Sequence, residues 1–418
     1  MALFFGVQSI VGFLYLETSF ATEVTQILFL GALSYLIAYR ALRVKDFRNA
    51  PFINKLIMSD SALKIMILST SCLYFLVFAF AVISAEKVAL FEVFKGATAL
   101  EIVESREMFL RAREGSYKLL IYAFSILSSA VMPYFLMLGF IRHIKIVYPL
   151  FFLFLISLTF SMEKALFLKA LFPLLLISVN GYFYKKAILW LPALAIVILV
   201  GMTYLARGSD NGASVGTTNV PLKMLSEDEL NRKTDIFQGG KYLSFREHVI
   251  KYFPLRGDSG IGYLINRAVW IPYITAYDWI KYFEQEMGGQ HLWGKTSIVI
   301  SKFMHVEQFP MEGKIFDYQF GLRNIKTAAA NTNFMIDGYI NFSWFGVICI
   351  SAFMGCVLAY LRIISNPAAS ACIYFFLFQL LGGGFLGTLL GGGLFIFLGL
   401  VLFIHPAPKV IIEEVKIG

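Results

Sequence analysis

Three stretches of this chain, Leu63 to Ser84, Tyr117 to Ile141 and Ala187 to Ala206, are almost unbrokenly apolar. About 20 such residues at 1.5 Å each cover a hydrocarbon core of about 30 Å, so each stretch reads as a membrane-spanning helix. Less regular runs repeat the pattern at Ala2 to Leu16, Val24 to Tyr39, Ile146 to Met162, Ala165 to Phe183, Ile340 to Leu361, Ala369 to Leu381 and Phe385 to Ile404. The expected architecture is all-α, a polytopic membrane protein with about ten transmembrane helices. Composition agrees: 58% of the 418 residues are apolar and 15% charged, against about 25% charged in soluble domains. Secreted, cytosolic and disordered classes are excluded.

Lys and Arg gather beside short loops: Arg40, Arg43, Lys45, Arg48 and Lys55, then Arg142 and Lys145, then Lys185 and Lys186, then Arg362. These loops all face the cytoplasm if both termini do. The formal charge of +9 is therefore largely an orientation signal, and nucleic acid is not an expected partner. Ser19-Phe20-Ala21 imitates a signal-peptide cleavage site, yet no basic segment precedes the first run, which is expected to stay as a helix. Cys72, Cys349, Cys356 and Cys372 all lie inside apolar runs, where they neither staple an outer loop nor form a spaced metal set. The chain divides into residues 1–206, with spans one to seven and an outer loop at 86–116; 207–341, a large outer loop; and 342–418, with the remaining spans and a cytoplasmic tail.

The large loop contains Trp270, Trp279 and Trp293 among many Tyr and Phe, a composition that folds. Ser226 with Glu229 is a capping-box pattern, and Leu264 to Phe283 alternates at helical spacing. Surface helices with aromatic faces toward lipid are expected there, with Pro272 limiting helix continuation. Gly382 to Gly393 reads as a tight turn, or as a place where lipid nears the backbone. No internal repeat and no paired broken helices point to a transporter.

Arginine on the outer side runs against the orientation bias. Arg106, Arg111 and Arg113 lie in the first outer loop, and Arg256, Arg267 and Arg323 in the second. Their guanidinium forks suit phosphate oxygens; as ordinary surface ions they suit Glu104, Glu107 and Glu114. Arg106 and Arg113 differ by about 20° around a helix and share a face. For proton transfer the candidates are His248, His291, His305, Asp258, Asp278, Asp317 and Asp337. Asp337 is the first choice, with His291 behind it, because Asn331-Thr332-Asn333 leads through Asp337 into an apolar run, where an acid is costly unless used or solvated. Trp270, Tyr273, Trp293, Asn331 and Asn333 are candidate sugar contacts. Glu163-Lys164 reads either as paired helix ends or as an ionisable pair facing a cavity. No Asp-x-Asp pair, P-loop, dinucleotide glycine fingerprint or His-Glu-x-x-His motif occurs, so nucleotide-sugar, ATP-driven and zinc-protease chemistry lose support and no cofactor is expected.

Several of these segments resemble one family. Ser105-Arg106-Glu107-Met108-Phe109 through Gly115-Ser116, Arg267-Ala268-Val269-Trp270-Ile271-Pro272, Gly288-Gly289, Gly294, Asn331-Thr332-Asn333-Phe334 and Tyr339 through Phe345-Gly346-Val347, set in a many-span layout with two long outer loops, look like the Wzy-type O-antigen polymerases of Gram-negative bacteria. The likeness runs from the first large loop to the eighth span. Some members place glycine eleven positions after an arginine in both loops; here Tyr117 and Asp278 hold those positions relative to Arg106 and Arg267. The resemblance implies a GT-C-like fold and metal-independent glycosyl transfer on undecaprenyl pyrophosphate at the periplasmic face of the bacterial inner membrane. It implies a chain-length regulator of the polysaccharide co-polymerase class as partner, and a flippase that supplies substrate. Arg106, Arg113 and Arg267, with Arg256 and Arg323, would hold the pyrophosphate. An O-antigen ligase and a lipid-linked oligosaccharide flippase remain alternatives.

Overall fold

The computed structural model describes residues 18–44, 56–97, 99–110, 117–182, 271–320, 329–364 and 366–406, with scattered residues in 6–16 and 190–201. In chain order the elements are α1 (Thr18–Val44), β1 (Leu56–Met58), α2 (Asp60–Ile83), α3 (Ala89–Phe94), α4 (Ala99–Leu110), α5 (Tyr117–Ile126), α6 (Met132–Ile141), α7 (Val147–Thr159) and α8 (Leu168–Val179). There follow α9 (Ile271–Gln285), α10 (Ile298–Phe303), α11 (Met311–Phe320), α12 (Phe334–Ile364), α13 (Pro367–Leu381), α14 (Leu394–Phe403) and β2 (Ile404–Pro406). Among the described residues 4 helices are long and apolar enough to cross a membrane: Thr18–Arg43, Asp60–Ile83, Leu119–Ile141 and Phe334–Ile364. The shorter apolar helices α7, α8, α13 and α14 fall on four further expected runs. Most of Ala2 to Leu16 and Ala187 to Ala206, and the Ser226 capping box, lie outside the described residues.

One departure from an all-α chain is a short parallel pair, Leu56–Met58 beside Ile404–Pro406. Three-residue strands carry too little periodicity to be read from sequence.

The chain forms two compact units. In the first (residues 1–45, 211–360 and 378–388), α9 packs against α1 and α11. Tyr273 through Ile280 and Phe283 are all buried, so α9 is a core helix and not the lipid-facing surface helix expected. Pro272 does not end it, because it sits in the first turn of α9, where no intrahelical N–H is needed. Helices α1 and α12 approach through small residues: a Cβ on Gly355 would lie 2.3 Å from the Tyr35 carbonyl oxygen, and one on Gly31 would lie 2.6 Å from the Met335 sulfur.

In the second unit (46–210, 361–377 and 389–418), α2 packs on α6, and its Tyr74 reaches α5 and α7, stacking with Phe124 and placing its hydroxyl 2.6 Å from Ser157 Oγ. A π-helical turn, Leu127–Val131, joins α5 to α6. Its cause is Pro133, which lacks the N–H for an i→i−4 bond and would crowd the Ser129 carbonyl; the Met132 N–H instead reaches back to Leu127 O. Tyr134 ties the end of α14 into this unit, donating to Ile404 O at 3.2 Å and accepting from Asn366 Nδ2 at 3.0 Å.

Candidate functional site

Helix α12 is broken. Phe342 (φ −137°) and Ser343 (φ 58°) leave helical geometry, and the chain folds back there so closely that a Cβ on Gly346 would lie 2.3 Å from the Gly338 oxygen. The result is a short helix, 334–341, followed by a long one, 344–364. Asn333 caps the short helix, its Oδ1 accepting from Met335 N (3.0 Å) and Ile336 N (3.1 Å). At the other end the break would strand carbonyls. The 292–294 loop satisfies them: Leu292 N donates to Ile340 O (3.0 Å), Trp293 N to Asn341 O (2.9 Å) and Gly294 N to Asn341 Oδ1 (2.9 Å). Gly288, Gly289, Trp293 and Gly294 all have positive φ, the backbone this crossing requires.

Asp337 lies on the short helix and is only 4% exposed. Asn341 Nδ2 donates to its Oδ1 at 2.9 Å, and Phe385 N to its Oδ2 at 3.0 Å. Thr296 Oγ1 stands 3.4 Å from Oδ1, and the Leu386 backbone adds a further bond. A carboxylate offers about four acceptor sites, and this one is surrounded by donors from three separate segments. Gly384 makes that possible, since a Cβ there would come within 2.9 Å of Oδ2. The glycine run is therefore a turn at Gly382–Gly384 laid against Asp337, followed by helical residues through Gly391.

His291 reaches the same helix end. Its Nδ1 is 3.3 Å from Ile340 O; a carbonyl only accepts, so Nδ1 carries a proton and Nε2 is the nitrogen left to exchange one. Rings surround it: Phe283 at 5.2 Å, Tyr339 at 5.8 Å edge-on and Trp293 at 6.5 Å. Trp293 is 60% exposed. Tyr339 also stacks edge-on with Trp344 and hydrogen-bonds Glu23 of α1, with Glu284 within electrostatic reach.

The other sequence candidates are distributed differently. Tyr273 is 3% exposed, with Gly12 leaving just enough room for its ring, so it is a packing residue with little surface for a sugar. Asn333 spends its side-chain oxygen on the helix cap. Asn331 is exposed, and its amide donates to Glu312 Oε2 at 3.0 Å once oriented donor to acceptor. Asp278 is fully buried and accepts from Gln319 Nε2 at 2.7 Å. In the second unit, Arg106 on α4 is half-buried beside the buried face of Ile102, Ser105 and Phe109; its Nε is shielded from solvent with no hydrogen-bond partner among the described residues. Arg113, Arg256, Arg267, Arg323, Trp270, His248 and Asp258 lie outside the described residues.

Sequence reasoning missed Thr296, Asn341, Gly384 and Glu23. Thr296 and Gly384 are brought to Asp337 from distant segments by folding alone, whereas Asn341 lies four residues on along the same short helix, a spacing the sequence displays. Glu23 stands just before the run that begins at Val24, where an acid is costly unless used or solvated. No family model, no curated protein and no solved structure matches this chain.

Proposed function

We propose that this chain is a membrane glycosyltransferase of about ten spans that joins undecaprenyl-pyrophosphate-linked oligosaccharide repeat units into a surface polysaccharide at the periplasmic face of the inner membrane. The observation that carries the reading is His291: an imidazole with Nδ1 held by a helix-end carbonyl, beside an exposed tryptophan suited to a sugar face. His291 Nε2 takes the proton from an acceptor hydroxyl as its oxygen attacks the anomeric carbon of the donor. The donor's bond to pyrophosphate breaks, and arginines neutralise the departing charge. Arg267, Arg106 and Arg113, with Arg256 and Arg323, are the proposed pyrophosphate partners on their placement in the sequence. Asp337 acts as a positioning group, its acceptor sites being engaged by protein donors. A chain-length regulator and a flippase are the proposed partners.

Deleting the gene and running the surface polysaccharide on a gel tests the reading. A core bearing a single repeat supports it; bare core with accumulated lipid-linked polymer makes the chain a ligase. His291→Ala is expected to lower chain extension by about 100-fold or more with protein still in the membrane, and Arg267→Ala to abolish long chains, with Lys a poor substitute. The broken α12 helix with its buried carboxylate favours one second reading, transport of the lipid-linked oligosaccharide; trapped cytoplasmic precursors in the deletion strain would establish it.

A further inference from the structure

Lys169, in the second unit, plays no part in the chemistry above. It lies near the start of α8, just past the hairpin of residues 161–167, and is 9% exposed among the buried apolar residues Ala170, Leu171 and Leu174. Its Nζ donates to Ser128 Oγ at 3.1 Å. Ser128 turns its own proton toward Ser125 O at 3.2 Å, which leaves the hydroxyl oxygen to accept. Ser128 stands on the π turn that precedes Pro133, beside buried Ser129.

An ammonium carries three protons. Among the described residues Ser128 is its hydrogen-bond acceptor, and Glu163 lies within electrostatic reach. A buried ammonium with one neutral hydrogen-bond acceptor and protons to spare is expensive in an apolar core, and a helix in lipid has no need of lysine at such a position. The arrangement becomes favourable when a strong anion meets the remaining protons.

We propose that Lys169 and Ser128 form an anion site that takes the diphosphate head group of a polyprenyl-linked substrate. This rests on the function proposed above, in which donor and acceptor both arrive on lipid diphosphates, so two head groups need holding. The charge pattern of the loops puts the 161–167 hairpin on the outer side, the side on which such a head group is presented.

Farnesyl diphosphate titrated into the purified full chain in detergent, followed by calorimetry, tests the site, with farnesol and inorganic pyrophosphate as comparison ligands. Wild type is expected to bind farnesyl diphosphate, Lys169→Met to bind it about tenfold more weakly or worse, and Ser128→Ala about threefold more weakly. Methionine fills a similar volume without the buried charge, so the thermal midpoint of Lys169→Met is expected to match or exceed that of wild type, separating lost binding from lost folding. Ser128→Ala reads the same site should the methionine variant fail to purify. Equal affinity in wild type and both variants overturns the Lys169 site and leaves the polymerase reading standing. Pyrophosphate binding as tightly as farnesyl diphosphate overturns the lipid assignment, and a wild-type protein that binds no farnesyl diphosphate overturns both.

Discussion

At Asn341 a single amide organises the neighbourhood of Asp337. Gly294 N–H can only donate, so Oδ1 must face it, and Nδ2 is thereby turned to Asp337 Oδ1 and Thr296 Oγ1, 2.9 and 3.0 Å away. Asp337→Asn would set an NH2 group against one of these donors. It is expected to lower stability by about 2 kcal/mol, read as a fall in the detergent thermal midpoint, while Asp337→Ala leaves the donors unpartnered and costs at least as much. Gly384→Ala, which places a methyl 2.9 Å from Oδ2, is expected to weaken the same contact by about 1–3 kcal/mol. Asp337 was legible in the sequence because an acid at the mouth of an apolar run is costly. Its role was legible only as far as Asn341, four residues on; the other donors come from Thr296 and Phe385, residues whose proximity no local pattern records. His291 was legible only as a loop histidine; its orientation depends on where helix 334–341 ends.

For the elements, the sequence showed apolar length better than continuity. The run from Ile340 to Leu361 lies within α12, but the break at Phe342–Ser343 contains neither Pro nor Gly, the usual markers. The signal lay beside it, in Gly338 and Gly346, which let the two segments touch. Ser343 holds φ 58°, a conformation glycine adopts more readily. Ser343→Gly is therefore expected to stabilise by about 0.5–1 kcal/mol in a thermal melt, whereas Gly346→Ala, whose methyl would lie 2.3 Å from a carbonyl oxygen, destabilises by about 2 kcal/mol or more. Helix α9 shows the opposite difficulty. Its alternation suggested one wet face, but Thr275 and Asp278 are buried along with the apolar residues, the latter paired with Gln319. Buried polar side chains imitate an exposed stripe whenever their partners are distant in sequence.

Across the whole molecule, charge placement remains the guide to topology. Phosphatase fusions after Glu163 are expected to be active and fusions after His143 inactive, and the reverse pattern would invert the assigned orientation. Helices long and apolar enough to cross a membrane were legible in the sequence, because apolar length is a local property, whereas the grouping of residues 1–45 with 211–360 depends on contacts far apart in the chain. The same distance bears on biosynthesis. Leu56–Met58 finds its neighbour only at Ile404–Pro406, so at about 5–20 residues per second roughly 20–70 seconds of translation separate them. Throughout that interval the early strand carries unmatched amides at the foot of α2, and the segment stays exposed to whatever chaperone or insertase attends the nascent chain.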